Sequence, residues 1–199
     1  MDTHALTWTL DEQIRIRPLV ASDAATLHAS IMMNREHLDR WLRWSNSIQT
    51  EADAIATIAV SAAKQERGLG FHSGIWVGEE LAGGVVCRDI EPLHRRAEIG
   101  YWLARNHTGK GLATRAAIRM IDHLFLVAQL HRVEMQCGVD NLRSRAIPER
   151  LGFRLEGIMR ESHWITTQFV DHALYGLLSR EWTERPRPVA GAPSFHGYN

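Results

Sequence analysis

Apolar positions recur along the chain with two different periods, and the changes between them mark its elements. Gln13-Ile14-Arg15-Ile16-Arg17-Pro18 alternates polar and apolar and then meets a proline, which predicts a first strand ended there. Ser22-Asp23 can cap the helix that follows, in which Leu27, Ile31 and Met32 recur at helical spacing. A second helical piece carries Leu38, Trp41, Leu42 and Trp44. Thr50-Glu51-Ala52-Asp53 resembles a capping box with Asp in place of the usual Glu, and it opens a helix running to about Gln65. Gly68 and Gly70 stop that helix.

The pattern then turns to strands. Phe71 to Val77 and Leu81 to Ile90 form a hairpin joined at Gly78-Glu79-Glu80. Ala97 to Ala104 is apolar almost throughout after Glu98, which predicts a strand buried on both faces. A helix from about Leu112 to Ala128 follows, with Ala116, Ile118, Ile121 and Leu124 as buried candidates. Arg132 to Val139 alternates, placing Val133, Met135, Cys137 and Val139 on one side. A short helix over Arg143 to Leu151 ends at Gly152, and Phe153–Met159 and Phe169–Leu178 close the order as two strands. The order describes a mixed α/β (α+β) domain over residues 1–182, with a mixed sheet. The tail, residues 183–199, is rich in Pro and Gly and is expected to be disordered.

Charge narrows the partners. Lys and Arg together number 23 and Asp and Glu together 23, so no global field draws in nucleic acid or an anionic membrane. Cys87 and Cys137 are too few and too far apart for a disulfide framework or a zinc site, and they read as two buried free thiols in a reducing cytosol. The first residues lack the pattern of a signal peptide, and no apolar run approaches the ~20 residues needed to span a bilayer. A cytoplasmic protein is expected.

One turn stands apart: Asn106-His107-Thr108-Gly109-Lys110-Gly111-Leu112-Ala113-Thr114, where a strand ends and a helix begins. A helix N-terminus offers unpaired N–H groups and a partial positive charge, and glycines before it let backbone approach a ligand. It is not a Walker loop, because Lys110 is followed by Gly111 rather than Ser or Thr. Nor is it a dinucleotide fingerprint, whose third glycine would fall at Thr114. On the turn alone, a phosphate site and a merely tight turn both stay open.

The flanks say more. Ala97-Glu98-Ile99-Gly100-Tyr101-Trp102-Leu103, the glycine turn, and Asn141-Leu142-Arg143-Ser144-Arg145-Ala146-Ile147-Pro148-Glu149-Arg150-Leu151-Gly152-Phe153 come in that order. Together they resemble the GNAT superfamily of acyl-CoA-dependent N-acetyltransferases, in its RimJ/RimL-like branch of ribosomal-protein N-terminal acetyltransferases. The resemblance covers roughly Gln13 to Trp182, and Leu38-x-x-Trp41-Leu42-x-Trp44 is similar to the same branch.

The resemblance implies acetyl-CoA as co-substrate and no metal. Its pyrophosphate would rest on backbone N–H groups of Gly109, Lys110, Gly111, Leu112, Ala113 and Thr114, with Thr108 and Lys110 at the rim. The family motif begins with Gln or Arg, where this chain has Thr108 or Asn106, so weaker side-chain assistance is expected rather than loss of binding. Strands 97–104 and 132–139 would splay to admit the pantetheine near Trp102 and Leu103. Asn141 would lie on the cofactor arm and Ser144 would protonate the leaving thiolate, although both residues also suit helix capping.

Two residues compete as general base. Glu98 matches a family base position, and partial burial would raise its pKa toward neutrality; its alternative is an ion pair with Arg95 or Arg96. His163 stands where the branch often carries glutamate, and it titrates in the right range. Trp41, Trp44 and Trp164 would line the acceptor side, or else simply pack in the core.

The implied reaction is direct, ternary-complex acetyl transfer to a primary amine, either a protein N-terminal α-amine or a small amino compound. A non-catalytic acyl-CoA-binding or scaffold protein with the same fold is the alternative. A homodimer is also expected, with the last strand and Trp182 supplying an edge.

Overall fold

The computed structural model describes residues 6–185. In chain order its elements are β1 (Trp8–Thr9), β2 (Ile14–Pro18), α1 (Ala24–Asp39), α2 (Glu51–Glu66), β3 (Phe71–Val77), β4 (Glu80–Cys87) and β5 (Arg96–Leu103), followed by α3 (Leu112–Asp122), β6 (Arg132–Gly138), α4 (Leu142–Arg150), β7 (Arg154–Ile165), β8 (Gln168–Leu178) and α5 (Ser179–Thr183). The eight strands make one sheet in the order β1-β2-β3-β4-β5-β6-β8-β7. Every neighbouring pair is antiparallel except β5–β6, which is parallel and bridged by the α3 crossover.

Local chemistry accounts for several boundaries. The Thr50 hydroxyl accepts from the Asp53 amide at 3.2 Å, and the Asp53 carboxylate accepts from the Thr50 amide at 2.8 Å. That reciprocal box starts α2 and is worth about 1 kcal/mol. Pro18 ends β2 as expected, still paired opposite Ser73. The two helical pieces expected before residue 45 are one helix, α1, followed by a short 3₁₀ turn over Trp44–Ser47. Leu27 and Ile31 are fully buried four residues apart on one face, whereas Met32 is 44% exposed one step round the helix. The helix expected over 112–128 stays α-helical only to Asp122, after which a π-helical turn, His123–Val127, completes it.

The sheet carries a hydrophobic layer on each side. One side packs α3 and α4, through residues such as Leu112, Met120, Ile121 and Ile147, against Ile99 and Met135. The other side packs α1 and α2, through Leu27, Ile31 and Ile58, against Trp76, Leu81 and Trp102. β5 is therefore not buried on both faces as the apolar run suggested. Ala97, Ile99 and Trp102 are buried, while Glu98, Gly100, Tyr101 and Leu103 remain half-exposed, because the strand borders a cleft.

The expected edge at the last strand is also corrected. β8 lies between β6 and β7, so it has no free edge. Trp182 belongs to α5, packs against the core and donates Nε1–H to Asp122 Oδ1 at 2.8 Å. The outermost strands are β1 and β7. Residues 183–185 are described and 183 closes α5, so most of the tail expected to be disordered lies outside the described residues.

Candidate active site

Pairing between β5 and β6 covers three positions only: Arg96 with Arg132, Ala97 with Val133 and Glu98 with Glu134. Beyond Glu98, β5 stays on β4 as far as Leu103, while β6 stays on β8 as far as Gly138. The two strands thus part, and a cleft of about 1490 Å³ opens between them. Trp102 and Leu103 line it from β5, and Gln136, Cys137 and Gly138 from β6.

The glycine turn closes one end of the cleft. Gly109 and Gly111 adopt φ of 76° and 73°, the left-handed region that glycine enters without strain. A Cβ at either would meet nothing within 4 Å, so conformation rather than crowding explains the glycines. Gly111 is the N-cap of α3, and no side chain caps that helix. The first intrahelical bond there runs from the Arg115 amide to the Gly111 carbonyl, so the amides before Arg115 have no helical acceptor. Thr108, Gly109, Gly111, Leu112, Ala113 and Thr114 all border the cleft. Lys110 is exposed and lies outside its lining. Neither side chain at the start of the motif is free: Thr108 Oγ1 donates to the Arg105 carbonyl at 2.8 Å, and Asn106 Nδ2 to Glu80 at 3.1 Å.

On the α3/α4 side of the split lies a cluster of protonated donors. Asn141 caps α4, its Oδ1 accepting from the Ser144 amide at 3.2 Å, and it also lines the cleft. Tyr101 donates its phenol to the Ser144 carbonyl at 2.9 Å and lies 3.2 Å from Ser144 Oγ. Ser144 Oγ donates in turn to Cys137 Sγ at 3.3 Å. Burial pushes the Tyr101 phenol well above its ordinary value and raises the Cys137 thiol, so both keep their protons at neutral pH.

The α1/α2 side holds groups of the opposite kind. Glu98 pairs with Arg88 at 3.1 Å, not with Arg95 or Arg96, and accepts from Gln136 Nε2 at 3.0 Å. Arg95 instead binds the Gln129 carbonyl, and Arg96 pairs with Glu91 and Glu134. Burial raises the Glu98 carboxyl above the usual range, against the pull of Arg88. Arg88 and Gln136 line the cleft and Glu98 lies behind them, held by both.

His163 and His172 stack at the other wall, with ring centroids 3.8 Å apart. A bulge produces this. Met159 opposes His172 and His163 opposes Val170, so two extra residues of β7 are looped out, and the Glu161 amide of that loop is held by Asp171 at 2.8 Å. Burial, then the neighbouring His163, lowers His172 to about 4; burial and Arg88 lower His163. His72 accepts Nε1–H from Trp102 at 3.4 Å, and its own pKa falls to about 4 through burial and Arg88. An acid limb set by His163 therefore lies below the ordinary histidine value.

Of the three tryptophans expected on the acceptor side, two line the cleft. Trp44 meets Trp102 and His72 edge-on at 5.8 and 6.0 Å, and Trp41 lies against Gly138. Trp164 does not; it packs on Phe169 at 4.9 Å on the outer surface, 42% exposed. Sequence reasoning missed Tyr101, Arg88, His72 and His172 as site residues. Tyr101 lay inside a recognised strand, but the others come together only through strand pairing, which no local pattern announces.

The geometry agrees with the comparisons to known proteins. The family described as acetyltransferase (GNAT) domain matches residues 13–154. YdaF of Bacillus subtilis, provisionally named a ribosomal N-acetyltransferase, is 34% identical over 177 residues, 88% of this chain and 97% of that one. The ribosomal-protein-serine acetyltransferase of Escherichia coli is 30% identical over 169 residues, 85% and 94% of the two chains. Among solved structures, RimL, a ribosomal alpha-N-protein acetyltransferase in complex with coenzyme A, shares the fold with a TM-score of 0.83 at 24% identity, covering 86% of this chain and 97% of that one. The chain therefore belongs to the RimL/RimJ-like branch of the GNAT family, N-acetyltransferases that transfer an acetyl group from acetyl-CoA to an amine.

Proposed function

We propose that the cleft binds acetyl-CoA with its pyrophosphate on the Gly109–Thr114 turn and transfers the acetyl group directly to a primary amine, a protein N-terminal α-amine or a small amino compound. The observation that carries this is the splay of β5 from β6 ending at the uncapped N-terminus of α3. The residues fit the group: left-handed glycines leave open space over amides that lack helical acceptors, which suits a phosphate. Bound there, acetyl-CoA supplies an acyl group activated as a thioester. The chain's residues do the rest. Backbone groups near Trp102 and Leu103 orient the thioester, Glu98 or His163 accepts the proton of the amine, and Ser144, hydrogen-bonded to Tyr101, returns a proton to the sulfur.

Proton donors on one side of the split and acceptors on the other favour a catalyst over a scaffold that only holds acyl-CoA. Among the described residues no helix is long and apolar enough to cross a membrane; we propose a cytoplasmic location, which an acceptor like that of the ribosomal-protein-serine acetyltransferase would require. A homodimer would form through the outer strand β7, where Leu155 and Ile158 are 51% and 45% exposed; a monomer mass by light scattering would reject it.

Release of free thiol from acetyl-CoA, measured across Ser- and Ala-starting peptides and small amines, tests the reading. Turnover on at least one acceptor class is expected. Tight CoA binding with no turnover on any amine would replace it with the scaffold alternative.

A further inference from the structure

The chain has equal numbers of acidic and basic residues, yet its cleft does not. Arg40, Arg43, Arg88, Arg143 and Arg150 line it against the single carboxylate of Asp140. Arg88 is balanced by Glu98, and Arg150 reaches Thr114 at the glycine turn, 3.5 Å away. Arg40, Arg43 and Arg143 form no ion pair among the described residues. Arg40 and Arg43 follow α1 in the cleft wall, together with Trp41 and Trp44. A narrower extension of about 350 Å³ continues there between Arg40, Trp41 and the β7–β8 turn. His37 lies in the same wall, and its pKa is lowered by burial and by the cations of Arg105, Arg143 and Arg40. The nearby imidazoles of His72 and His172 are held neutral and add no charge of either sign. A polycation entering the main cleft would meet guanidinium groups with Asp140 alone to receive it, and Asp171 joins that carboxylate only in the narrower extension.

We propose that the acceptor carries an anionic group, carboxylate or phosphoryl, close to its amine, and that Arg40 and Arg43 select it and exclude polyamines. This rests on the acetyltransferase reading above. A low-dielectric cleft lined by one sign of charge raises the local concentration of the opposite sign and repels its own. Partner arginines suit carboxylate and phosphate because their planar forks bind both bidentately.

The test is kcat/KM on three Ser-starting hexapeptides that differ only in carrying two Asp, two Asn or two Lys at the third and fourth positions. Spermidine, ethanolamine and phosphoethanolamine are run alongside. Asp should exceed Lys by at least about tenfold, and the ratio should shrink as salt shortens the screening length from about 10 Å at 0.1 M to about 3 Å at 1 M. An Asp preference among peptides assigns the anion to a peptide; preference for phosphoethanolamine over ethanolamine assigns it to a small phosphorylated amine. The double variant Arg40→Glu, Arg43→Glu should invert the order while CoA affinity by calorimetry stays unchanged. Equal rates on all peptides together with equal rates on ethanolamine and phosphoethanolamine, or spermidine as the preferred acceptor, would overturn the inference and leave the acetyltransferase reading intact. A parallel loss of CoA affinity in the double variant would also overturn it, by assigning these arginines to the cofactor. Absence of turnover on every amine would instead remove the reading on which it rests.

Discussion

The two sides of the split sheet treat protons in opposite ways. On the α3/α4 side, burial holds Tyr101 and Cys137 protonated beside Ser144. On the α1/α2 side, burial and Arg88 strip the imidazoles of His72 and His163 of their charge, and burial raises Glu98. The same physical cause, desolvation of the charged form, keeps the acids of one side protonated and the imidazoles of the other neutral with a lone pair to offer, while Glu98 beside them accepts only as its carboxylate. A strand boundary is enough to separate them, because successive residues of β5 and β6 point to opposite faces.

The strongest way to break the comparison is to disable the cofactor end. Gly111→Trp should remove measurable CoA binding. Hydrogen bonds to charged groups contribute roughly 1.5–3 kcal/mol each, so displacing a phosphate from two of them weakens binding at least about 100-fold. Left-handed strain should cost the fold only about 1–2 kcal/mol. Calorimetry on a variant that still melts cooperatively checks this, and unchanged affinity would move the phosphate site elsewhere.

The acceptor-side bases come next. Removing the true base should lower kcat/KM by about 10²–10⁴-fold. Because Glu98 is raised and His163 lowered, their acid limbs approach one another, and a wild-type pH profile alone does not separate them. Variants do: Glu98→Gln or His163→Ala should abolish the limb, and the other should leave it in place. Full activity in both would show that the amine arrives neutral and is only positioned.

The smallest effect is on stability. His72 has an ordinary pKa of 6.5 and about 4 in the folded protein, so the unfolded chain takes up the proton first as pH falls. Its contribution is complete above about pH 6.5 and is lost between there and about pH 4. His72→Gln keeps an acceptor for Trp102, and its Tm should fall less steeply over that window than the Tm of wild type. Equal slopes would assign the acid sensitivity to other groups.

Much of the frame was legible because it is written locally. The Thr50–Asp53 box, the β3–β4 hairpin and the glycine turn each depend on residues within a few positions, and each formed where its pattern pointed. The site was legible only in part. Asn141 and Ser144 sit together on α4, but the ion-pair partner of Glu98 is Arg88 on the far side of a hairpin, a choice made by strand pairing. His163 and Trp164 looked equivalent in sequence. Alternation along β7, after a two-residue bulge, turns the first into the cleft and the second outward. No periodicity signals such a bulge in advance.

Three residue pairs at the β5–β6 seam join a half-sheet of five strands to one of three. Strand amides pointing into the split have no ladder partner, whereas alternate amides of the same strands are bonded on their outer edges. Hydrogen exchange along β5 and β6 should therefore stutter from residue to residue in the free protein, fast, slow, fast, beyond Glu98. With an acyl donor lying along the split as an added strand, the stutter should vanish and the two halves should open as one cooperative unit. The sheet's cohesion would then follow the supply of its own substrate.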